Sequence, residues 1–305
     1  MTGCFIATKK KNVVYVSPLE LGYAQHHSTI TPVKAMQKTF FKDIKPHLGK
    51  KVGLHLHFLP HTFVSQFKKQ TKKSFCDASP LIEQLRTVKD TTEISTIKKA
   101  CAITDSLFTA IFSHAHTFRT ELALQTFIRK TMLDHGVRES FPTIVASGKN
   151  GATPHHTSGN NKLKGMTVID MGVVYKGYCS DLTRTLYFGT PTQKELLTYG
   201  KVHDVQEACI AMVKDGVNYG KIQEYAREKL GKYYIHGIGH GLGIDVHEYI
   251  RPKKDTILHT GNVITIEPGL YFPGKYGIRI EDDVVVGNTK VTVLSHTPRS
   301  LLIVK

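Results

Sequence analysis

The 305-residue chain is long enough for one large domain and a small one, and its 40% hydrophobic content is that of an ordinary globular protein. No stretch approaches the length of a membrane span, MTGCFIATKKKN lacks the apolar core of a leader, and five widely spaced cysteines fit neither a disulfide framework nor a zinc pattern, so a cytoplasmic protein with no membrane contact is expected. The net charge of +16 is high, and lysines occur in short separated groups (9–11, 50–51, 72–73, 98–99 and 253–254) with no long basic run, which reads as a solvated cationic surface rather than a nucleic-acid partner.

Residues 1–80 alternate strand-like and helix-like pieces: VVYVS, VKAMQKTFFKDI, KVGLHLHF, a helix near 62–72, and SFCDA. They predict a small α/β domain. His55 and His57 alternate in GLHLHF and are expected to share a strand face; with nothing nearby to complete a site they read as structural, as do His26, His27, His114 and His116. From residue 81 to 305 the pattern changes. Long amphipathic helices are predicted over 91–117 and 120–135, and again near 192–214 and 219–231, each pair followed by glycine-rich strands. Helices outside a curved antiparallel sheet, with hairpins inside, fit that order.

Two hairpins carry the chemistry. TVIDMGVV (167–174) and GYCSDLTRTLYFG (177–189) read as strands joined by a turn at Tyr175-Lys176-Gly177. The midpoint of Asp170 and Asp181 is 175.5, inside that turn, so the two carboxylates are expected roughly opposite each other. Their Cβ atoms would then lie about 4.5–5.5 Å apart, where like charges repel unless a cation sits between them. NVITIEPGLYF (262–272) and YGIRIEDDVVV (276–286) repeat the pattern around Pro273-Gly274-Lys275, and the midpoint of Glu267 and Glu281 is Gly274. Asp170, Glu267 and Glu281 end apolar strand runs, where free solvation is not expected. Cys179 lies two residues before Asp181 and reads as a small packed residue rather than a ligand.

Among seventeen histidines, His240 is set apart by Gly237, Gly239, Gly241 and Gly243, which make a helix improbable and imply close backbone approach to the metal pair or substrate. Four carboxylates and this imidazole form a ligand set for two hard divalent cations. His236 and His247, with Glu248 beside the latter, are candidates for substrate contact or proton transfer, and His155 in GATPHH is a loop residue that can reach the same cleft.

These segments closely resemble the pita-bread metallopeptidases, specifically the Xaa-Pro branch of prolidases and aminopeptidases P. The likeness covers roughly residues 80–290, from LIEQLRTVKDTTEISTIKKACAITD through TIVASGKNGATPHH, VIDMGVVYKGYCSDLTRT and YIHGIGHGLGIDVHE to ITIEPGLYFPGKYGIRIEDDVVV. It implies an α+β fold: a pita-bread catalytic domain over 81–305, with a curved antiparallel sheet and outer helices, behind a small α/β domain over 1–80. It also implies metal ligation by Asp170, Asp181, His240, Glu267 and Glu281, with Asp181 and Glu281 bridging two ions, His240 and Glu267 completing one, and Asp170 the other. His155, His236 and His247 match the family's active-site histidines, and Arg279 matches a family arginine; its strand parity also lets it buffer Glu281. TGCFIATKKKNVVYVSPLE is similar to an internal portion of the family's N-terminal domain, so the front of that domain is expected to be missing. That domain helps form the family's dimer and can wall the substrate cleft, so an expected homodimer depends on what remains.

The expected activity is hydrolysis of the Xaa-Pro bond at the N-terminus of dipeptides or short proline-containing peptides, by a hydroxide bridging two metals about 3.5–4 Å apart. Glu267 is expected to shuttle the proton, His155 and His247 to stabilise the oxyanion or orient the carbonyl, and His236 to contact the proline side or its carboxylate. Oxygen-rich ligation with one histidine suits Mn2+, with Co2+, Zn2+ or Fe2+ as alternatives. Methionine aminopeptidase is the nearest competing reading, but its last two glutamates lie on separate segments and it lacks the upstream histidine that His236 supplies. A non-catalytic peptide- or protein-binding module on the same fold is the other alternative, and the intact ligand set argues against it.

Overall fold

The computed structural model describes residues 3–9 and 12–305, so Lys10 and Lys11 of the first lysine group lie outside the described residues. The chain divides into two compact units, 1–82 and 83–305.

In the first unit, β1 (Gly3–Ala7) pairs antiparallel with β2 (Asn12–Val16); after α1 (Leu21–His27) the chain returns as β3 (Val33–Ala35), parallel to β2. Then come α2 (Phe40–Ile44), β4 (Lys51–Leu54), α3 (His61–Thr71) and β5 (Ser74–Asp77), with β4 and β5 parallel. Val13, Tyr15, Phe40, Phe41, Ile44, Leu54 and Phe67 form its core. Two expectations need correction. VKAMQKTFFKDI is not one helix-like piece: Val33–Ala35 is drawn into the ladder with β2, and the helix is confined to 40–44, where Phe40, Phe41 and Ile44 bury together. KVGLHLHF stops being a strand at Leu54, the last residue paired with β5. His55 instead accepts the N–H groups of Phe58 and Leu59 at 3.1 and 3.0 Å, so His55 and His57 share no strand face.

The helix α4 (Ser79–Thr87) leads to α5 (Thr91–His114) and α6 (Glu121–Asp134). Local chemistry sets these limits. Asp90 accepts the N–H groups of Thr92 and Glu93 while the Glu93 carboxylate accepts that of Asp90, a reciprocal cap that starts α5. Strands β6 (Arg138–Glu139), β7 (Ile144–Ser147), β8 (Gly165–Met171), β9 (Val173–Tyr175), β10 (Tyr178–Cys179) and β11 (Leu182–Phe188) follow. Next come α7 (Gln193–Met212), started by the same kind of cap between Thr192 and Glu195, and α8 (Tyr219–Leu230), ended by Gly231 at φ +74°. The chain closes with β12 (Val263–Ile266), β13 (Gly269–Phe272), β14 (Tyr276–Arg279), β15 (Asp282–Val285), β16 (Thr292–Val293) and β17 (Leu302–Val304).

One sheet has the order β17-β11-β8-β7, antiparallel except for β11 with β17, and another the order β12-β15-β16. Each helix pair backs one hairpin. Leu107, Phe108 and Ile111 of α5 and Leu124, Ile128 and Met132 of α6 pack on Ile169, Met171, Leu182 and Leu186. Val202, Val205 and Cys209 of α7 and Ile222 and Ala226 of α8 pack on Ile264, Ile266, Ile278 and Val284. Because side chains alternate along a strand, the residues between these point the other way, and those residues are the acids.

Candidate metal centre and active site

The second hairpin follows its expected register. Gly269 pairs with Arg279, and Phe272 with Tyr276 around Gly274 at φ +72°, while Ile266 pairs with Asp282 further along. Glu267 and Glu281 are therefore opposite each other. At that level the ladder opens: the Glu281 N–H donates to the Thr183 carbonyl of β11 at 3.1 Å, and the Glu267 N–H to that of Ile238 at 2.8 Å.

The first hairpin differs from expectation. Tyr175 pairs with Tyr178, and Lys176 and Gly177 both have positive φ (+48° and +86°), a two-residue turn centred one position later than the midpoint of the acids. Asp170 is consequently opposite Thr183, and Asp181 lies on the diagonal of the same face. The register is the same on both sides of Gly172, so the two-residue turn alone sets the offset. Between the two ladder segments Gly172 faces Asp181, and a Cβ there would lie 1.8 Å from the Ser180 carbonyl oxygen, an approach that only glycine allows. In this gap the Asp181 N–H leaves its own hairpin and donates to Asp283 Oδ2 at 2.9 Å. Each hairpin thus hands one ligand-bearing N–H to the other. Arg184, buried on the helix side, ties the same level by donating to the carbonyls of Thr183 and Glu281 at 2.9 and 2.6 Å and pairing with Asp282 at 2.7 Å.

The glycine-rich segment is not helical, and His240 is delivered by a strand-like pass along β12. Thr265 donates to the His240 carbonyl, and Leu242 to that of Val263. At Gly239 the close approach that demands glycine is to β12: a Cβ there would sit 1.9 Å from the Thr265 carbonyl oxygen. Gly237 and Gly239 nonetheless line the cleft.

All the expected site residues, His155, Asp170, Asp181, His236, His240, His247, Glu267, Arg279 and Glu281, line one cavity of about 1300 Å³. Asp181, His240 and Glu281 each offer a ligand atom within 4.8 Å of the others, a spacing that suits one ion. His240 Nδ1–H donates to the Gly241 carbonyl at 3.1 Å, leaving Nε2 facing Glu267 Oε1 at 3.4 Å and Asp181 Oδ2 at 3.6 Å. Glu248 is a correction: it faces away from the cleft and is held by Lys89, Arg86 and the Ile244 N–H at 2.7, 2.7 and 3.0 Å. Cys179 is packed, its thiol 3.3 Å from the Ile244 carbonyl, with burial pushing its pKa up to about 11.

Arg279 pairs with Asp170 at 2.6 Å rather than with Glu281, and it also donates to Tyr271 Oη at 2.9 Å and Thr183 Oγ1 at 3.0 Å. Tyr271 in turn reaches His236 Nε2 at 2.8 Å, and His236 Nδ1 donates to the Gly237 carbonyl at 2.7 Å. That chain engages both ring nitrogens of His236 within the protein. Tyr271, Thr183 and Thr265 were not singled out by the sequence reading. Their odd numbers place them on the face of Asp181, Glu267 and Glu281, a parity signal that was available.

The electrostatics fit cations. Burial first, then the neighbouring carboxylates, holds Asp181 and Glu281 well above the usual carboxylate range, and burial pushes Glu267 up to about 7. Burial and His247 lower His240 to about 3, so the imidazole is neutral and its lone pair free to ligate. Asp170 Oδ1 and Glu281 Oε1 are buried with no hydrogen-bond partner among the described residues. Buried polar atoms are rarely left so, and an ion satisfies both. The four carboxylates and the Arg279 guanidinium leave three negative charges, which two divalent ions would more than offset.

The comparisons with known proteins agree with this geometry. The family model "Metallopeptidase family M24" matches residues 95–288, and "Creatinase/Prolidase N-terminal domain" matches 2–88. An uncharacterized peptidase of Staphylococcus aureus is 39% identical over 233 residues, which span 73% of this chain and 66% of that protein, just under two thirds of its length. The Xaa-Pro dipeptidase of Bacillus anthracis superposes with a TM-score of 0.92 at 30% identity, covering 99% of this chain and 89% of that one. The prolidase of Pyrococcus horikoshii gives 0.92 at 32% identity (98% and 89%), and the X-Pro aminopeptidase of Thermotoga maritima 0.91 at 27% (99% and 90%). The fold is the pita-bread fold of these enzymes, and the family implies divalent metal ions. The chain belongs to metallopeptidase family M24.

Proposed function

We propose that the chain is an exopeptidase that hydrolyses the Xaa-Pro bond at the N-terminus of dipeptides or short peptides. The observation that carries this reading is the convergence of five ligand-type side chains and three further histidines on one cavity, two of whose buried carboxylate oxygens have no hydrogen-bond partner among the described residues. Its resemblance to Xaa-Pro dipeptidase and X-Pro aminopeptidase structures supports the proline specificity. Asp170, Asp181, His240, Glu267 and Glu281 would hold two divalent ions, Mn2+ best suiting four carboxylates and one imidazole. Such ions activate a water at neutral pH and polarise the scissile carbonyl.

The remaining work falls to the chain itself. Glu267 takes the proton from the attacking water and returns it to the departing proline nitrogen. His155 and His247, from separate segments, donate to the developing oxyanion. Arg279 neutralises Asp170 and fixes Tyr271, which holds His236 neutral, with a pKa of about 4 caused by burial and by Arg279. Phe141, Pro142, Ile144, Ile235, Val246 and Pro252 give the cleft apolar wall for the substrate side chains.

The test is to strip the metal from purified protein, restore Mn2+, and assay Xaa-Pro dipeptides, Xaa-Pro-Yaa tripeptides and peptides starting with methionine. Metal-dependent release of the first residue from Xaa-Pro substrates is expected. Cleavage of methionine-starting peptides alone, or tight peptide binding without turnover, would overturn the reading.

A further inference from the structure

His155 reaches the cleft on the 148–161 segment, whose residues 153–157 form one cavity wall without regular structure beyond a short 3-10 turn (Gly148–Ala152). Ser158 ties the segment to Val145 at 2.9 and 3.1 Å and accepts from Gln125 at 3.2 Å, and a second side chain that the site does not otherwise use gathers both its limbs. Glu121, the first residue of α6, has 0% exposure. Its Oε1 accepts the Ser147 N–H at 2.8 Å and Asn150 Nδ2 at 2.9 Å, on the limb entering the segment. Its Oε2 accepts His156 Nε2 at 3.0 Å, the Gly159 N–H at 3.2 Å and Asn161 Nδ2 at 3.0 Å, on the limb leaving it. Five donors thus converge on one carboxylate, and its two oxygens divide them between the two limbs. The backbone adds two bonds, from Glu121 N–H to the Asn161 carbonyl and from Leu122 N–H to that of Gly159. Among the described residues, the bond from His156 to Glu121 is the hydrogen bond that reaches the 154–157 apex.

We propose that Glu121 is a positioning residue for the peptidase reaction: it staples both limbs of the 148–161 segment so that His156 is drawn into the protein and its neighbour His155 is turned toward the cleft. The inference rests on the peptidase reading. A carboxylate suits this role and an amide does not, because all five partners are donors and an amide presents one oxygen only. The N-terminal end of α6 favours a negative charge there. Burial works against ionisation, but the bonds from Asn150, Ser147, His156 and Asn161 outweigh it and hold the carboxyl below its usual range. His155 lines the same cavity as His236 and His247, and displacing such a group by about 1 Å can cost about 100-fold in rate.

The test compares Glu121→Ala, Glu121→Gln and His156→Ala with and without His155→Ala, in the metal-loaded protein. Glu121→Ala is expected to lower kcat by about 30–100-fold with little change in KM or in bound metal, and Glu121→Gln by less. On the His155→Ala background the same change should cost less than about threefold, since both act through one group. Amide exchange over 153–161 should quicken in Glu121→Ala and His156→Ala and not elsewhere. If Glu121→Ala does not fold, Glu121→Gln and His156→Ala carry the same tests. An equal loss on both backgrounds, or unchanged exchange over the segment, overturns the proposal. Failure of the wild-type protein to cleave any Xaa-Pro substrate overturns the peptidase reading instead, and the exchange measurement still decides whether Glu121 holds the segment.

Discussion

The two hairpins bring two carboxylates each to the same cavity, and they do it differently. The second is symmetric: its three-residue turn is centred on Gly274, and Glu267 stands opposite Glu281. The first is offset: its two-residue turn sets Asp170 opposite Thr183 and Asp181 on the diagonal, with Gly172 packed on the Ser180 carbonyl between them. In both, the ladder breaks where the acids sit, and one N–H crosses to the other hairpin, Asp181 to Asp283 and Glu281 to the Thr183 carbonyl. The candidate metal centre is therefore a junction between two sheets, and its geometry depends on backbone that neither hairpin satisfies alone.

Replacements on the two sides can break or sharpen that comparison. The largest effect is expected from Glu281→Ala, which removes a carboxylate at the junction. Peptidase activity should vanish and metal content, read by elemental analysis, should fall; full activity would remove Glu281 from the site. Arg279→Met comes next. Removing one partner of a buried ion pair costs about 3–5 kcal/mol, so the metal-free protein should unfold at markedly lower denaturant. With metal bound the loss should shrink, because the ions replace the charge that Asp170 has lost. Equal losses in both states would mean that Arg279 does not share the role of the ions.

Gly172→Ala probes the close approach of the first hairpin's strands beside Asp181. Its Cβ would meet backbone at 1.8 Å, so a loss of about 1–3 kcal/mol is expected, together with weaker metal retention. A variant with unchanged denaturation and metal content would show that this close approach is unnecessary.

The pH dependence follows from the charges. Glu267, Asp181 and Glu281 have raised folded pKa values, so what they contribute is fully present below the unfolded carboxylate range and is lost as pH rises through about 7 and beyond. His236 and His240 are depressed to about 4 and about 3, so stability is lost as pH falls below about 6.5, and above that they are neutral in both states. Between pH 7 and 8 the carboxylates therefore act alone. The melting temperature of the metal-free protein should fall over that interval, and the increment from added Mn2+ should grow. A metal-free protein that becomes more stable from pH 7 to 8 contradicts the crowding of the acids. The smallest effect is expected at Lys176, a non-glycine residue at φ +48°: Lys176→Asn should raise stability by about 0.5–1 kcal/mol in denaturant unfolding without altering metal content.

Much of this was legible in the sequence. Hydrophobic periodicity and turn residues located all four strands of the two hairpins, the turn at 273–275, and the helices over 91–117, 120–135, 192–214 and 219–231, while the turn expected at 175–177 proved to be Lys176-Gly177 alone. The residues that line the cavity were read from acids ending apolar runs and from a histidine among glycines. The register of the first hairpin was not, because symmetry between the two acids assumes they face each other, whereas the turn is formed by Lys176 and Gly177 alone and Tyr175 stays in its strand. Glu248 looked like a site residue by adjacency to His247, but Lys89 and Arg86, about 160 positions away in sequence, draw it to the other side. Glu121 was invisible for the same reason: its donors lie 26 to 40 residues away, and no local pattern marks a carboxylate that gathers them.

The most direct test of the junction is an anomalous-scattering map from crystals soaked in Mn2+. Two peaks about 3.5–4 Å apart are expected, both within ligand distance of Asp181 and Glu281, with His240 and Glu267 on one and Asp170 on the other. A single peak, or manganese bound away from the two hairpins, would contradict the account.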